Sequence, residues 1–250
     1  MGKADHGPGK TWESTADDTG EAMAKARHGK RYRQWLEKVP KGPVALEEAV
    51  RIVQEFKPEK CDPTIELTMH LGIDPRQADQ ALRGSFSLPH GIGKTRRVIA
   101  FCEGEDAEKA KAAGAVEAGA DELIQKIQDG WMDFDVAVSK PKMMRSVSRL
   151  GRILGPQGKM PSPKSGTVVE DVETAVREYS AGKVEYRNDD GGNIHLPVGK
   201  LSFEPDKLVG NVRAAFDHIK RLRPASAKGA YIRKVCIAAT MSPAVLVDLS

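Results

Sequence analysis

The spacing of apolar residues in the first third of the chain predicts two helices and a strand. HGKRYRQWLEKV predicts a basic helix with Trp35 on its apolar face. In TIELTMH, from Thr64 to His70, apolar and polar residues alternate, which predicts a half-buried strand with one polar face. A second helix is predicted after Pro43, where apolar residues recur every three or four positions. These residues are Leu46, Ala49, Val50, Val53 and Phe56.

From Arg97 the pattern changes to short apolar runs that alternate with helical segments. This alternation indicates a small parallel sheet with helices packed on it. The apolar runs predict buried strands at Val98–Cys102 and Phe134–Ser139. The helical segments predict helices at Asp106–Ala113 and Asp121–Gln128 and a basic helix at Lys142–Leu150.

The last third of the chain begins with a predicted helix from Val172 that Gly182 can cap. Two strands are predicted on either side of a turn at Asp189–Gly192, and a long helix starts at Pro205. The predicted buried stripe of this helix comprises Leu208, Val212, Ala215, Phe216, Ile219 and Leu222.

The final predicted strand, YIRKVCIAATM, closes on Thr240 and Met241. It and the two strands before it resemble the early TIELTMH strand more than the middle block. We therefore expect a chain that leaves one domain, builds a second and returns to the first.

Composition narrows the class of protein. The net charge of +4 and the pI near 8.9 are mildly basic and do not by themselves demand a nucleic acid. Three widely spaced cysteines predict neither a disulfide framework nor a zinc site, which fits a reducing compartment. The six histidines include no HExxH pair, and no apolar run reaches membrane-spanning length. We expect a soluble, cytoplasmic protein without a metal or other cofactor.

One stretch, Val136–Val169, is basic throughout: its 34 residues include seven Lys or Arg and no Asp or Glu. Its core, GRILGPQGKMPSPKSGT, holds four glycines and three prolines in 17 residues, which predicts a shaped loop rather than a regular helix or a central strand. Gly allows backbone amides to approach a ligand while fixed cations meet phosphates, so a polyanion is a suitable partner. The alternative is a basic surface loop that is merely solvated.

The Gly-Lys-Thr at residues 93–95 invites comparison with a phosphate-binding loop, but the glycine that this motif requires five residues before the Gly-Lys pair is replaced by Leu88. A turn into the next strand is the simpler interpretation, with a structural role for His90. No GxGxxG follows a strand, so a dinucleotide site has no support.

GRILGPQGKMPSPKSGT resembles the signature of the L1 family of large-subunit ribosomal proteins, found in the mobile ribosomal stalk. HGKRYRQWLEKV, LGIDPRQADQALRGSFSLPHGIGK, IQDGWMDFD, AGKVEYRNDDGGNIHLPVGK and AKGAYIRKVCIAATM are similar to bacterial members in order and spacing. The resemblance covers residues 28 to about 243.

The resemblance implies an α/β fold with two domains. The first, a split-βαβ α/β sandwich formed by both chain ends, would comprise residues 30–91 and 183–250 and bind RNA. The second, an inserted Rossmann-like three-layer α/β domain, would comprise residues 92–182, with glycine-rich joins near Gly91 and Gly182 as hinges. Residues 1–29 are polar and Gly-rich, and we expect a disordered tail there.

The resemblance also implies a function without catalysis. Family members bind a helical junction of large-subunit rRNA at the stalk base, and the stalk moves as deacylated tRNA leaves the exit site. Bacterial members commonly repress translation of their own messenger. The implied partners are large-subunit rRNA, exit-site tRNA, the protein's own messenger RNA and the large ribosomal subunit.

Residues carried over from the family fall at two strands that would form neighbouring parts of one RNA-contacting surface. Their hydroxyl, carboxylate and thioether groups suit ribose hydroxyls, sugars and bases. At the first strand they are Lys60, Thr64 and Glu66, and after the last strand they are Thr240, Met241 and Ser242. Lys30, Arg31 and Arg33 would add phosphate contacts.

The basic stretch falls within the inserted domain of the family. Arg152, Lys159 and Lys164 are therefore expected to form a secondary RNA contact, or else to shape that domain. This chain departs from the family pattern at Cys61, where Phe is usual, at Lys234, where a Ser is common, and at Ser242, where Gly is usual.

Several alternatives stay open at this stage. Thr64 and Glu66 could be the solvent face of a strand, and Met241 could be a core residue. A two-lobed enzyme could bind a phosphorylated substrate through Lys94, His90 and the Lys159 loop. A free messenger-binding repressor that never enters ribosomes would use the same surface as a ribosomal protein.

Overall fold

The computed structural model describes residues 29–58 and 61–249, which fold as a mixed α/β protein. The chain forms two compact units, one ending at Lys38 and the other beginning at Val39. The tail expected at residues 1–29 lies outside the described residues except for Gly29, and so does Lys60. No helix in the described part combines the length and apolar character needed to span a bilayer.

The first helix, α1, spans Lys30–Glu37 and confirms the prediction from HGKRYRQWLEKV. Lys30, Arg31 and Arg33 on this helix are exposed. The guanidinium of Arg31 lies 4.9 Å from the ring centroid of Trp35, a distance typical of a cation–π contact.

A five-stranded sheet carries the candidate site. Its strand order is β1, β10, β9, β2, β8, and β2 pairs antiparallel with both β8 and β9. The strands are β1 (Val44–Ala45), β2 (Thr64–Leu71), β8 (Asn193–Lys200), β9 (Ile232–Ala239) and β10 (Val245–Asp248). The two strands predicted at opposite ends of the chain are therefore direct neighbours at the centre of the sheet. The sequence did not predict β1 or β10.

One face of this sheet is buried and the other is polar. Ile65, Leu67 and Met69 of β2 are at most 1% exposed, whereas the residues between them are half-buried or exposed. Helices α2 (Leu46–Glu55) and α8 (Pro205–Arg221) pack against each other and against strands of the sheet. The predicted alternation in β2 and the predicted helices are confirmed.

The predicted buried face of α8 is wrong at Leu222, which is 37% exposed. The helix ends at Arg221, so Leu222 lies beyond its last turn. The sequence did not predict that Asn211 would be fully buried on the same helix. Its amide donates to the backbone oxygens of Gly91 (3.0 Å) and Val198 (2.7 Å) and accepts from the backbone N–H of His90 (3.1 Å). The burial of this polar group is thus matched by three hydrogen bonds.

A second, three-stranded sheet is parallel throughout, in the order β5, β4, β6. Its outer faces are covered by two apolar clusters, one containing residues of α3 and α7 and the other residues of α4 and of the basic stretch. The elements are β4 (Val98–Phe101), α3 (Glu105–Ala112), β5 (Glu117–Gly119), α4 (Asp121–Gln128) and β6 (Val136–Ser139), with α7 (Val172–Ala181). The predicted parallel sheet is confirmed, although β5 was not predicted.

The basic stretch corrects one prediction. The expected helix Lys142–Leu150 is broken into short pieces. No regular helix or strand runs through GRILGPQGKMPSPKSGT, as predicted, although it begins with a helical turn because Leu150 and Leu154 both bury their side chains in the core. Gly155 ends that turn. The pieces are 3-10 turns at Pro141–Met143, Ser148–Leu150 and Pro163–Ser165, and helices α5 (Met144–Val147) and α6 (Gly151–Leu154).

The two strands predicted around Asp189–Gly192 exist, but they belong to different sheets. Strand β7 (Val184–Arg187) pairs with β3 (Arg83–Phe86), which the sequence did not predict, and β8 pairs with β2. A single bridge, Asn188 to Ile194, joins the two strands beside the turn.

The predicted domain boundaries at residues 91–92 and 182–183 stay predictions. The parallel sheet draws its strands from residues 98–139, and the five-stranded sheet draws its strands from residues 44–71 and 193–248. From Val39 onward the chain nevertheless forms one compact unit.

Candidate nucleic-acid interface

The structure brings Thr64 and Thr240 into contact. Strand β9 runs antiparallel to β2, with Ala239 opposite Ile65 and Ala238 opposite Glu66. The backbone N–H and the hydroxyl of Thr240 both donate to the backbone oxygen of Thr64, at 3.0 and 3.2 Å. Residues 176 positions apart in the chain therefore lie at one end of the same pair of strands.

The polar face of the sheet continues from this end along β2 and β8. We call it the outer face and define it by Thr64, Glu66, Thr68 and His70 of β2, Asn193, His195 and Lys200 of β8, and Lys234 of β9. The side chains of Glu66 and His195 are each 49% exposed. Polar groups on this face can therefore reach a ligand that lies on the sheet.

An imidazole links the polar groups in the middle of the outer face. Nδ1 of His195 lies 3.3 Å from Oε1 of Glu66 and 3.3 Å from the Thr68 hydroxyl, and its Nε2 lies 3.7 Å from Oδ2 of Asp189. A neutral imidazole donates from one nitrogen, whereas an imidazolium donates from both. One nitrogen thus contacts Glu66 and Thr68 and the other contacts Asp189, so the ring joins these groups into one polar cluster on the outer face.

Asp189 is fixed at the turn before β8. The side-chain amide of Asn193 is the main cause that holds the pKa of Asp189 below its usual range, and the backbone N–H groups of Asn193 and Gly191 act in the same direction. Asp189 therefore remains ionised beside His195. His70 and Asn193 form a further pair on this face, with Nδ1 and Oδ1 at 2.9 Å.

Sequence reasoning missed Lys200 and His195. Lys200 lies opposite Thr64, and its ammonium donates to the Thr64 hydroxyl at 3.0 Å and to the backbone oxygen of Asp62 at 3.2 Å. The alternation in NIHLPV could have placed His195 on the polar face, because Ile194 and Leu196 are fully buried. No local signal marks Lys200, since its position follows from the pairing of β8 with β2.

Met241 lies in the turn after β9 and is 73% exposed, so its interpretation as a core residue is wrong. Its φ of 69° is left-handed, which is uncommon for a residue other than glycine. The hydroxyl of Ser242 accepts from the backbone N–H of Ala239 (2.8 Å) and donates to the backbone oxygen of Pro243 (3.1 Å). Ser242 therefore closes the turn that presents Met241.

The structure also shows the two other positions at which this chain departs from the family pattern. Cys61 is exposed just before β2, and Lys234 is exposed on β9 opposite His70, where it adds a charge to the outer face. Lys30, Arg31 and Arg33 lie on α1, which belongs to the separate first unit.

The three cations predicted for a secondary contact differ in their surroundings. Arg152 and Lys164 are exposed, as a solvated loop or an RNA contact requires. The ammonium of Lys159 donates to the backbone oxygens of Phe134 (2.6 Å) and Met132 (3.2 Å) and lies 4.8 Å from the Phe134 ring centroid. Lys159 thus fastens the basic stretch to the chain before β6.

Two residues of the enzyme alternative, His90 and Lys159, make structural hydrogen bonds. The backbone N–H of His90 is bonded to Asn211, and the Lys159 ammonium is bonded to backbone oxygens. Burial raises the pKa of the Cys102 thiol, which disfavours the thiolate. Within residues 29–58 and 61–249, no group of three His, Cys, Asp or Glu is arranged to hold a metal ion.

Comparison with known proteins gives two findings. The model of the family described as "Ribosomal protein L1p/L10e family" matches residues 53–243. The chain is also 51% identical over 223 residues to the large ribosomal subunit protein uL1 of Lactobacillus acidophilus. That alignment covers 89% of this chain and 97% of the relative.

Proposed function

This chain belongs to the ribosomal protein L1p/L10e family, and from that membership we propose that it binds large-subunit rRNA through the outer face and the Thr64–Thr240 end of β2 and β9. It is a structural, non-enzymatic protein of the large ribosomal subunit. The alternative of a two-lobed enzyme is therefore wrong.

The contact between Thr64 and Thr240 is the observation that carries the proposed binding surface. It joins two strands that the family resemblance had singled out separately, and the turn beside it exposes Met241. Hydroxyl groups can exchange hydrogen bonds with ribose 2′-hydroxyls, and a thioether can pack on a sugar or a base. The surface thus suits folded RNA, which proteins recognise through its shape and its 2′-hydroxyls.

The outer face extends this surface with two kinds of group, those that would contact phosphates and those that would contact sugars or bases. Lys200 and Lys234 would meet phosphates, whereas Glu66, Thr68 and His195 would bond sugar hydroxyls or base edges. A carboxylate that faces phosphate would be repelled, so Glu66 requires a donor as its partner. On α1, Lys30, Arg31 and Arg33 would add phosphate contacts, as would Lys60 before β2.

Two finer roles follow from the family resemblance and are part of the proposal. As a stalk protein the chain would assist release of deacylated tRNA from the exit site. It would also repress its own messenger, whose site would imitate the rRNA junction and occupy the same surface. Arg152 and Lys164 are exposed and suit a secondary RNA contact, whereas Lys159 is engaged by backbone oxygens.

A filter-binding titration of a stalk-junction transcript at several salt concentrations tests the proposed surface. Thr240→Ala should weaken binding several-fold, at about 1 kcal/mol for a net hydrogen bond, and Met241→Ala should weaken it because packing of the thioether is lost; both should change the salt slope little. Lys30→Ala should reduce the slope by about 0.9, the value for one phosphate contact. Equal slopes for all three variants would show that this division of contacts is wrong.

Sedimentation of ribosomes separates a ribosomal protein from a free repressor. We expect the chain to co-sediment with large subunits at low salt, because the proposed surface binds rRNA. A dedicated repressor would be missing from large subunits under the same conditions and would bind only its messenger.

A further inference from the structure

A cavity of about 290 Å³ opens beside the Thr64 end of the outer face. Its walls come from the ends of β2 and β8, from the segment that leads into β4, and from the start of β6. Its lining includes Thr64, Lys94, Arg96, Asp135, Pro197 and Lys200. Thr64 and Lys200 belong to both the cavity and the outer face, so a ligand on the face can enter the cavity without a break.

Cations dominate the cavity wall. Lys94, Arg96 and Lys200 face one carboxylate, Asp135. Asp135 is already engaged, because it accepts from the backbone N–H of Arg97 at 3.0 Å and lies 3.7 Å from the Arg97 guanidinium. The Arg97 backbone hydrogen bond is the main cause that holds the pKa of Asp135 below its usual range. The ionised carboxylate offsets one of the three cations, and Lys94 contributes to its lowered pKa, so the cavity wall keeps a net positive charge.

Two of these cations have no hydrogen-bond acceptor among the described residues. Within residues 29–58 and 61–249, the side chains of Lys94 and Arg96 neither donate a hydrogen bond nor form a close ion pair, although Lys94 lowers the pKa of Asp135 and Arg96 lowers that of Glu185 through their charge. Arg96 is half-buried, and a cation that is partly removed from water is stabilised by an anion that restores its hydrogen bonds. Lys200 is held at the rim, where its ammonium donates to the Thr64 hydroxyl and to the Asp62 backbone oxygen.

A smaller cavity of about 170 Å³ adjoins the first and shares Arg96, Asp135 and Pro197 with it. Its own charged groups are Glu185 and Lys159, and Lys159 is bonded to backbone oxygens. The carboxylate of Glu185 lowers the positive charge in the smaller cavity. The excess of positive charge therefore lies in the larger cavity, near Lys94 and Lys200. An anion would therefore enter from the side of the outer face.

From this geometry we propose that the cavity binds one phosphate of the RNA backbone, gripped by Lys94 and Arg96, while Lys200 stays bonded to Thr64 and Asp62 at the rim. The inference rests on the proposed function, because the RNA strand that crosses Thr64 delivers the phosphate. The cavity volume is several times the roughly 30 Å³ that one water occupies in the liquid, so a phosphodiester group fits. A ribose on the Thr64–Thr240 end would thus be fixed relative to its neighbouring phosphate.

Salt-dependent binding of the stalk-junction transcript tests the inference with the double variant Lys94→Gln/Arg96→Gln. If both cations grip one phosphate, the slope of log K against log salt falls by about 0.9. A slope that stays at the wild-type value, or one that falls by about 1.8 as for two separate phosphates, would overturn the proposal. Lys109→Gln/Arg177→Gln removes the same charge from exposed helical ion pairs and should leave the slope unchanged.

Neutral methylphosphonate linkages, placed one at a time in the transcript, identify the phosphate. One linkage should weaken binding by the wild type and have no further effect on the double variant, as a double-mutant cycle requires for a shared contact. Linkages that weaken both proteins equally would overturn the proposal. Calorimetric binding of inorganic phosphate without RNA, at submillimolar dissociation constants and lost in the double variant, would reassign the cavity to a free anion.

The same titrations separate this inference from the proposed function. If the wild type fails to bind the transcript, or Thr240→Ala binds as tightly as the wild type, the proposed surface itself is wrong. If the wild type binds and Thr240→Ala weakens binding while the Lys94→Gln/Arg96→Gln slope is unchanged, only the cavity inference fails. Thermal melts of each variant show that the fold is retained, which we expect because Lys94 is exposed and Arg96 is not fully buried.

Discussion

Met241 shows how a single side chain can be held for contact rather than for stability. It is exposed in a left-handed conformation that costs an L-residue about 1–2 kcal/mol, and Ser242 closes the turn around it. A strained and largely exposed residue indicates a partner outside the chain, and rRNA is the proposed partner.

Met241→Gly should therefore separate stability from binding. Glycine relieves the left-handed strain of about 1–2 kcal/mol but loses about 0.5–1 kcal/mol to chain entropy, so the free energy of unfolding should rise by up to about 1.5 kcal/mol. Binding of rRNA should weaken because the thioether is gone. Urea unfolding and filter binding measure the two effects. Met241→Ala keeps the strain and serves as the control, and undiminished binding by Met241→Gly would argue against the contact.

Glu185 makes the stability of the chain depend on pH. Burial is the main cause that raises the pKa of its carboxyl, against the opposing effects of Arg83 and Arg96. A raised pKa in the folded state means that the folded chain retains the proton after the unfolded chain has lost it. The contribution of Glu185 to stability is therefore fully present below the unfolded pKa of about 4.3 and is lost as pH rises through the folded pKa.

Glu185→Gln should remove this loss. We expect the variant to gain stability over the wild type as pH rises from 4 toward 7, because Gln has no proton to lose. Urea midpoints at several pH values measure the difference. Glu48→Gln, at an exposed position on α2, is the control, and a difference for Glu185→Gln that does not change with pH would contradict the assignment.

At the scale of elements, the sequence predicted the long periodic segments and missed the short ones. Helix α4 lies at its predicted bounds because Leu123, Ile124 and Ile127 mark one face. Strand β5 has three residues and ends in a glycine, and β3 reads Arg-Gly-Ser-Phe, so neither shows an alternating pattern. These strands form because neighbours distant in sequence supply their hydrogen bonds, which local propensity does not record.

At the end of α7, Gly182 packs against the chain beside Gly91. The resemblance had marked both glycines as hinges. Gly182 has a φ of 107°, and a Cβ there would lie 3.1 Å from Cγ1 of Ile92 and 3.2 Å from its backbone nitrogen. Gly130, after α4, has a φ of 102° with no atom within 4 Å of such a Cβ. The two glycines therefore share their backbone requirement and differ only in packing.

Gly182→Ala should consequently destabilise the chain more than Gly130→Ala. Both variants incur the left-handed penalty of about 1–2 kcal/mol, and overpacking adds at least about 1 kcal/mol at residue 182 alone. Urea unfolding of the pair gives the difference directly. Equal losses would mean that the chain near Ile92 moves aside without cost.

At the scale of the whole molecule, the family resemblance and the strand register contributed different parts of the candidate site. Motifs at both ends of the chain indicated Thr64 and Thr240, and the fold places them in contact. The cavity cations and Lys200 could not be predicted, because they come together only when β8 pairs with β2 and the chain before β4 crosses that edge. The assignment of two domains with boundaries at residues 91–92 and 182–183 remains a prediction.

The central claim is that rRNA covers the Thr64–Thr240 end of the five-stranded sheet. Met241 reports on it directly, since it is the exposed methionine of the described residues, whereas Met132 and Met144 are half-buried in the other sheet's surroundings. Oxidation of the protein by hydroxyl radicals, alone and bound to purified large-subunit rRNA, followed by mass spectrometry, measures the exposure of each methionine. We expect strong protection of Met241 in the complex with little change at Met132 and Met144. Oxidation of Met241 at the same rate in the free and bound protein would contradict the account.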